Sequence, residues 1–229
     1  MAREPRRQRG TRPRGRIAPT GPAKAVPPKE RILDAFLELA AERDFGAIGL
    51  IDIAERAGVT LANLRDFYSG KGAMLADFAR RIDQAALEKG AAEGDTARDR
   101  LFDMMMRRFD ALIPHRAAIK RIAAAACRDP ILARKLHRLG RRSQVWMLEA
   151  AGIHRTGVAQ GIAVEGALLV HADAMRAFLD DEPDLSRTMA AVDRGLTRGE
   201  RAMAWVDRGC AFLGGVRSRV RSWRGRAAA

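Results

Sequence analysis

The chain has 229 residues, 47% of them hydrophobic and only 5% aromatic, and it carries a formal net charge of +14. That length and apolar content suffice for a real core in one or two domains, while Cys127 and Cys210, far apart and without neighbouring cysteines, exclude a disulfide framework and a CxxC metal site. The basic excess favours a polyanionic partner, and its location says more than its size.

Residues 1–29 hold nine Lys or Arg against Glu4 alone, and residues 216–229 hold five Arg and no acid, which leaves the rest of the chain close to neutral. Both ends are rich in Arg with Pro, Gly or Ser and have little to bury, so residues 1–28 are expected to be a disordered basic arm and 216–229 a basic tail. Such arms either grip phosphates, the first one reaching a minor groove, or serve only solubility. The amino terminus is not read as a transit peptide, because Pro5, Pro13, Pro19, Pro22, Pro27 and Pro28 interrupt any amphipathic helix.

Pro27 and Pro28 then precede a helical pattern from Arg31 to Glu42 with apolar residues at spacings of three and four. The run Ile53-Ala54-Glu55-Arg56-Ala57-Gly58-Val59-Thr60-Leu61-Ala62-Asn63-Leu64-Arg65-Asp66-Phe67 reads as a helix-turn-helix. Ala54 permits close helix approach, Gly58 supplies a turn with positive φ, and Ile53, Ala57, Val59, Leu64 and Phe67 form the expected inward set. Thr60 caps the second helix, whose free N–H groups and positive dipole end then face a DNA phosphate or base edge. An ordinary helical hairpin is the bland alternative. A turn at Tyr68-Ser69-Gly70 leads into the next helix, with Met74, Leu75, Phe78, Ile82 and Ala85 on its apolar face.

From Arg31 to Ile82 the order Ile-Leu-Asp-Ala, Asp-Ile-Ala-Glu-Arg-Ala-Gly-Val-Thr, then an aromatic residue, a turn and a lysine, resembles the DNA-binding domain of the TetR family of bacterial repressors. The resemblance implies DNA contacts from Gly49, Thr60, Leu61, Ala62, Asn63 and Arg65, and a phosphate contact from Lys71. This chain departs from the family at Gly49, where a Thr or Ser cap is common, at Ala62, where Gly is usual, and at Arg65, where Tyr is frequent. Arg65 keeps phosphate binding open through bidentate hydrogen bonds. The head is accordingly assigned to residues 29–75.

Further helices follow over 76–215. Leu101, Phe102, Met105, Phe109 and Leu112 make one apolar face before a break at Pro114, and Asp129-Pro130 is a capped helix start that carries Ile131, Leu132, Leu136, Leu139, Trp146 and Met147 towards Gly152. Two more helices are expected, from Val158 to Leu179 and from Leu185 to Phe212, the second broken near Gly199. The chain is therefore read as all-α, a three-helix head on a helical-bundle domain. The resemblance makes that domain the site of ligand binding and homodimerisation, with Met105, Phe109, Trp146, Met147, His171 and Met175 as pocket candidates, although the same residues equally suit a packed core.

No catalytic constellation stands out. His115, His137, His154 and His171 lack metal-ligand spacing, and neither a phosphate-binding Gly-rich loop nor a nucleophile elbow is present, so no enzyme, no metal and no cofactor are expected. No apolar run approaches the roughly 20 residues of a membrane span, and a cytoplasmic protein is expected. A looser similarity concerns Met175-Arg176-Ala177-Phe178-Leu179-Asp180-Asp181-Glu182 and Thr188-Met189-Ala190-Ala191-Val192-Asp193-Arg194, which look like the carboxyl-terminal pattern of the TetR-like lipid-binding proteins of coenzyme Q biosynthesis. The expectation is a dimeric regulator of double-stranded DNA, a repressor released by a small apolar ligand. The alternative is an accessory lipid carrier that does not bind DNA.

Overall fold

The computed structural model describes residues 26–182 and 184–201, so the basic arm, the tail, Cys210 and the expected helix beyond residue 201 lie outside the described residues. Among the described residues there are helices and no strand. Pro28 occupies the first turn of α1 (Pro28–Glu42), where a missing N–H costs nothing. After a 3-10 turn at Phe45–Ala47 come α2 (Leu50–Ala57), α3 (Leu61–Phe67) and the longer α4 (Lys71–Leu87). The body continues with α5 (Ala97–Leu112), a 3-10 turn at Ile113–His115, α6 (Arg116–Ala126), α7 (Pro130–Ala150), α8 (Gly157–Leu179) and a last helix, α9, over residues 186–201.

Local chemistry sets these boundaries. Thr96 Oγ1 accepts from the Asp99 N–H at 3.1 Å while the Asp99 carboxylate accepts from the Thr96 N–H, a reciprocal cap on α5. The Asp129 carboxylate accepts from the N–H groups of Ile131 and Leu132 at 2.8 and 3.1 Å, which starts α7 where the sequence placed it. Asp181, buried, does the same for α9, accepting from the Thr188 N–H at 2.7 Å and from its hydroxyl at 2.6 Å. The Asp180-Asp181-Glu182 pattern is thus the cap of a helix corner.

The apolar faces join into one core running from Ile32 to Leu196. α1 packs on α2 and on α6, and α4 packs on α5 and α7. Consequently α4 belongs to both head and body. Four expected core positions differ, Trp146 on α7 among them. Ala86 rather than Ala85 is buried on α4, because the face drifts with a period of 3.6 residues, and Ile131 is exposed in the first turn of α7, beyond the edge of the neighbouring helices. Phe67 is 43% exposed at the end of α3, and the adjacent Tyr68 turns inward instead.

Candidate nucleic-acid interface and the body behind it

The turn between α2 and α3 forms as the sequence requires. Gly58 adopts φ 63°, ψ 42°, a left-handed conformation that strains any residue with a Cβ, and its N–H closes on the carbonyls of Ala54 and Glu55. Thr60 Oγ1 then accepts from the Asn63 N–H at 3.1 Å and donates its own proton to Asn63 Oδ1 at 2.8 Å. Cap and first turn are locked together. Since the Asn63 oxygen is engaged by Thr60, the side-chain amide N–H groups are left as its outward donors.

Thr60 rides on this cap while Leu61, Ala62, Asn63 and Arg65 are exposed, and Leu64, fully buried, anchors α3 to the head. Gly49 takes the N-cap position of α2, where its N–H donates to the Asp52 carboxylate at 2.7 Å and so is already satisfied. Lys71 differs most from expectation. Its ammonium donates to the carbonyls of Phe45 and Ile48, both at 2.8 Å, and sits 4.6 Å from the Phe45 ring centroid, while burial lowers its pKa. Lys71 therefore ties the 3-10 turn to the start of α4.

Residues that sequence reasoning passed over link the helices of the head. Arg56 of α2 pairs with Glu42 of α1 through two hydrogen bonds of 2.9 and 2.7 Å. The Tyr68 hydroxyl donates to Asp77 at 2.7 Å, and Lys29 and Arg80 close on the same carboxylate at 3.1 and 2.6 Å. Burial pushes the Asp77 carboxyl up, but the bonds from Tyr68, Arg80 and Lys29 outweigh it and hold the group below its usual range. Only the aromatic-then-turn signature at Tyr68 marked this cluster in the sequence.

Behind the head, Met105, Phe109 and Met147 are fully buried and His171 is buried, whereas Met175 is half-buried. Phe109 stacks on the His171 ring at 4.9 Å and contacts Phe178 at 5.3 Å, so these side chains fill the interior. Trp146 is not among them; it is 53% exposed and lines an outer groove. Through the same interior runs a polar chain contributed by four helices. Arg108 donates to Asp83 at 2.9 Å and to Ser143 at 3.3 Å, meets His171 Nε2 at 2.8 Å, and Ser143 donates to Asp83 at 2.7 Å. Burial and then the Arg108 charge push His171 well below its ordinary pKa, so the ring is neutral and accepts from Arg108.

No protein-family profile and no curated protein matches the chain. Solved structures do. A TetR transcriptional regulator from Nitrosomonas europaea superposes with a TM-score of 0.61 at 23% identity, covering 76% of this chain and 98% of its own. A TetR regulator from Rhodococcus gives 0.53 at 22% identity over 75% and 94% of the two chains. The fold is the TetR fold. A third structure with it, the dihydroxyacetone kinase operon activator DhaS, gives 0.53 at 10% identity over 77% and 98%. The expected head, residues 29–75, covers α1 to α3 with the start of α4, and the remaining described helices are referred to as the body. Among the described residues no helix is long and apolar enough to cross a membrane, and no cluster of His, Cys, Asp and Glu is arranged to hold a metal ion.

Proposed function

We propose that the protein is a transcriptional regulator that binds double-stranded DNA as a homodimer and acts as a repressor released by a small ligand. The observation that carries this reading is the exposed, capped start of α3, where Thr60, Leu61, Ala62 and Asn63 stand clear of the head on a helix anchored by Leu64. A short helix presented in this way suits a major groove. Leu61 and Ala62 suit the methyl group of thymine, and the Asn63 amide donors suit an acceptor such as guanine O6 or N7. Arg65, exposed and without an ionic partner among the described residues, suits a phosphate.

The dimer has its own support. α8 is mostly apolar apart from Gln160, Glu165, His171, Asp173 and Arg176, and on its outer side Val158 is 81% and Leu169 71% exposed, with Ile162 on the same face. Apolar surface of this kind, uncovered among the described residues, favours a second copy. Two α3 helices in a two-fold dimer address half-sites roughly 34 Å apart. Repression rests on the family resemblance alone, and DhaS carries the same fold as an operon activator. The lipid-carrier alternative gains no support, since the interior is occupied by side chains and the motif that suggested it is the Asp181 cap.

The test is selection of bound fragments from sheared genomic DNA with the full-length protein. An enriched inverted repeat is expected. Recovery of fragments that share no sequence would overturn the reading.

A further inference from the structure

Between head and body lies a groove of about 550 Å³, within the range of roughly 300–1,000 Å³ typical of small-molecule sites. Lys29, Phe67 and Tyr68 contribute from the head, and Leu139, Arg142 and Trp146 from α7. Between these walls α4 lays down small side chains, Ala73, Ala76 and Ala79, which give the groove its depth. Met105, Phe109 and Met147 are buried in the body, away from this groove.

The charges in the groove are unequal in their commitments. Asp77 is held by Lys29, Arg80 and the Tyr68 hydroxyl, and Asp83 by Arg108 and Ser143. Both carboxylates are neutralised by neighbours. Arg142 is exposed and has no ionic partner among the described residues, and it stands one helical turn before Trp146, so the two share a face of α7. A free guanidinium beside an exposed indole offers a charge-assisted hydrogen bond and a stacking surface side by side. Phe67, also exposed, lies across the groove on the head.

We infer that this groove binds a small amphipathic anion, an aromatic ring bearing a carboxylate or sulfonate, with the ring against Trp146 and the anion on Arg142. Under the regulator reading, on which only this consequence rests, the occupant is the effector. It touches Phe67 at the end of α3 and Trp146 of α7 at once, so its affinity depends on how head and body are spaced. That difference is what a ligand needs to shift a conformational equilibrium. A second cleft, of about 280 Å³ beside Ile162, Gly166 and Leu196, adjoins the α8 face assigned to the dimer and touches no head residue.

The experiment titrates full-length protein, without DNA, with anilinonaphthalene sulfonate and with phenylnaphthylamine, which has the same ring systems and no charge. Saturable binding of the sulfonate is expected, with displacement by naphthoate. Arg142→Gln is expected to weaken it roughly tenfold, as loss of a hydrogen bond to a charged group implies. Trp146→Ala should weaken both dyes, while the uncharged dye should be indifferent to Arg142→Gln. Both side chains are exposed, and circular dichroism confirms that the variants fold. Sulfonate affinity unchanged in both variants, or no saturable binding by the folded parent, overturns the proposal. A protein that binds the sulfonate in this way yet fails to retain any DNA keeps the site and loses the regulator reading.

Discussion

His171 is the most informative single side chain for stability, because its ring is buried on Phe109 with Arg108 against Nε2, and both burial and that charge depress its pKa. The unfolded chain binds a proton at this residue below pH of about 6.5, whereas the native state resists until well below that. Its contribution is therefore complete above about pH 6.5 and is lost as the pH falls, with a slope of about 1.4 kcal/mol per pH unit at most. Comparing thermal unfolding of the parent and His171→Phe between about pH 5 and 7 isolates the term, since other groups are common to both. Parallel pH dependences in the two proteins would contradict the assignment. Lys71 and Arg65 make a second contrast. Removing the Lys71 ammonium strands the Phe45 and Ile48 carbonyls, so Lys71→Ala is expected to lower head stability by about 1–3 kcal/mol in denaturant titrations. Arg65→Ala should leave stability alone, weaken binding to operator and random DNA alike, and reduce the salt slope by about one. A Lys71→Ala protein as stable as the parent speaks against its structural role.

At the scale of elements, α8 packs inward on one face and leaves Val158 and Leu169 exposed on the other, the face proposed for the dimer. The inner one meets α9 so closely that a Cβ on Gly195 would lie 2.7 Å from Val170 Cγ1, and Gly195→Ala is therefore expected to cost about 1–3 kcal/mol by overpacking. A melting temperature equal to that of the parent would show that the helices separate freely. On the outer face, Leu169→Arg should convert the dimer to a monomer in light scattering without lowering helix content, and an unchanged mass would move the interface elsewhere. The sequence revealed those elements whose ends carry chemistry. Thr60, Gly58 and Asp129-Pro130 each mark a boundary through one local hydrogen bond or one backbone angle. α6 is not legible in the sequence, because its Ala-rich run between Pro114 and Asp129 has few large apolar residues to show a period. Hydrophobicity alone places Trp146 and Phe67 inside, although whether a large aromatic faces core or groove depends on the helix opposite, which local pattern does not contain. Lys71 illustrates the same limit, since the carbonyls that bind it lie 23 and 26 positions away in sequence.

For the whole molecule, head and body share α4, and Arg121 of α6 donates to the Ala41 carbonyl at the end of α1 at 2.9 Å, a second tie between them. Under the proposed DNA-binding reading the arginines before Pro27 would add a sequence-independent attraction, to be told apart from reading by α3. The decisive measurement is the affinity of the parent, of Asn63→Ala and of a protein lacking residues 1–25 for an enriched genomic site and for random DNA at fixed salt. Asn63→Ala is expected to lose about 1–3 kcal/mol on the enriched site and nothing on random DNA, while the truncation weakens both together. Equal binding of both DNAs by the parent and by Asn63→Ala, with all binding lost on truncation, would mean that the arm alone holds the DNA and that α3 reads nothing.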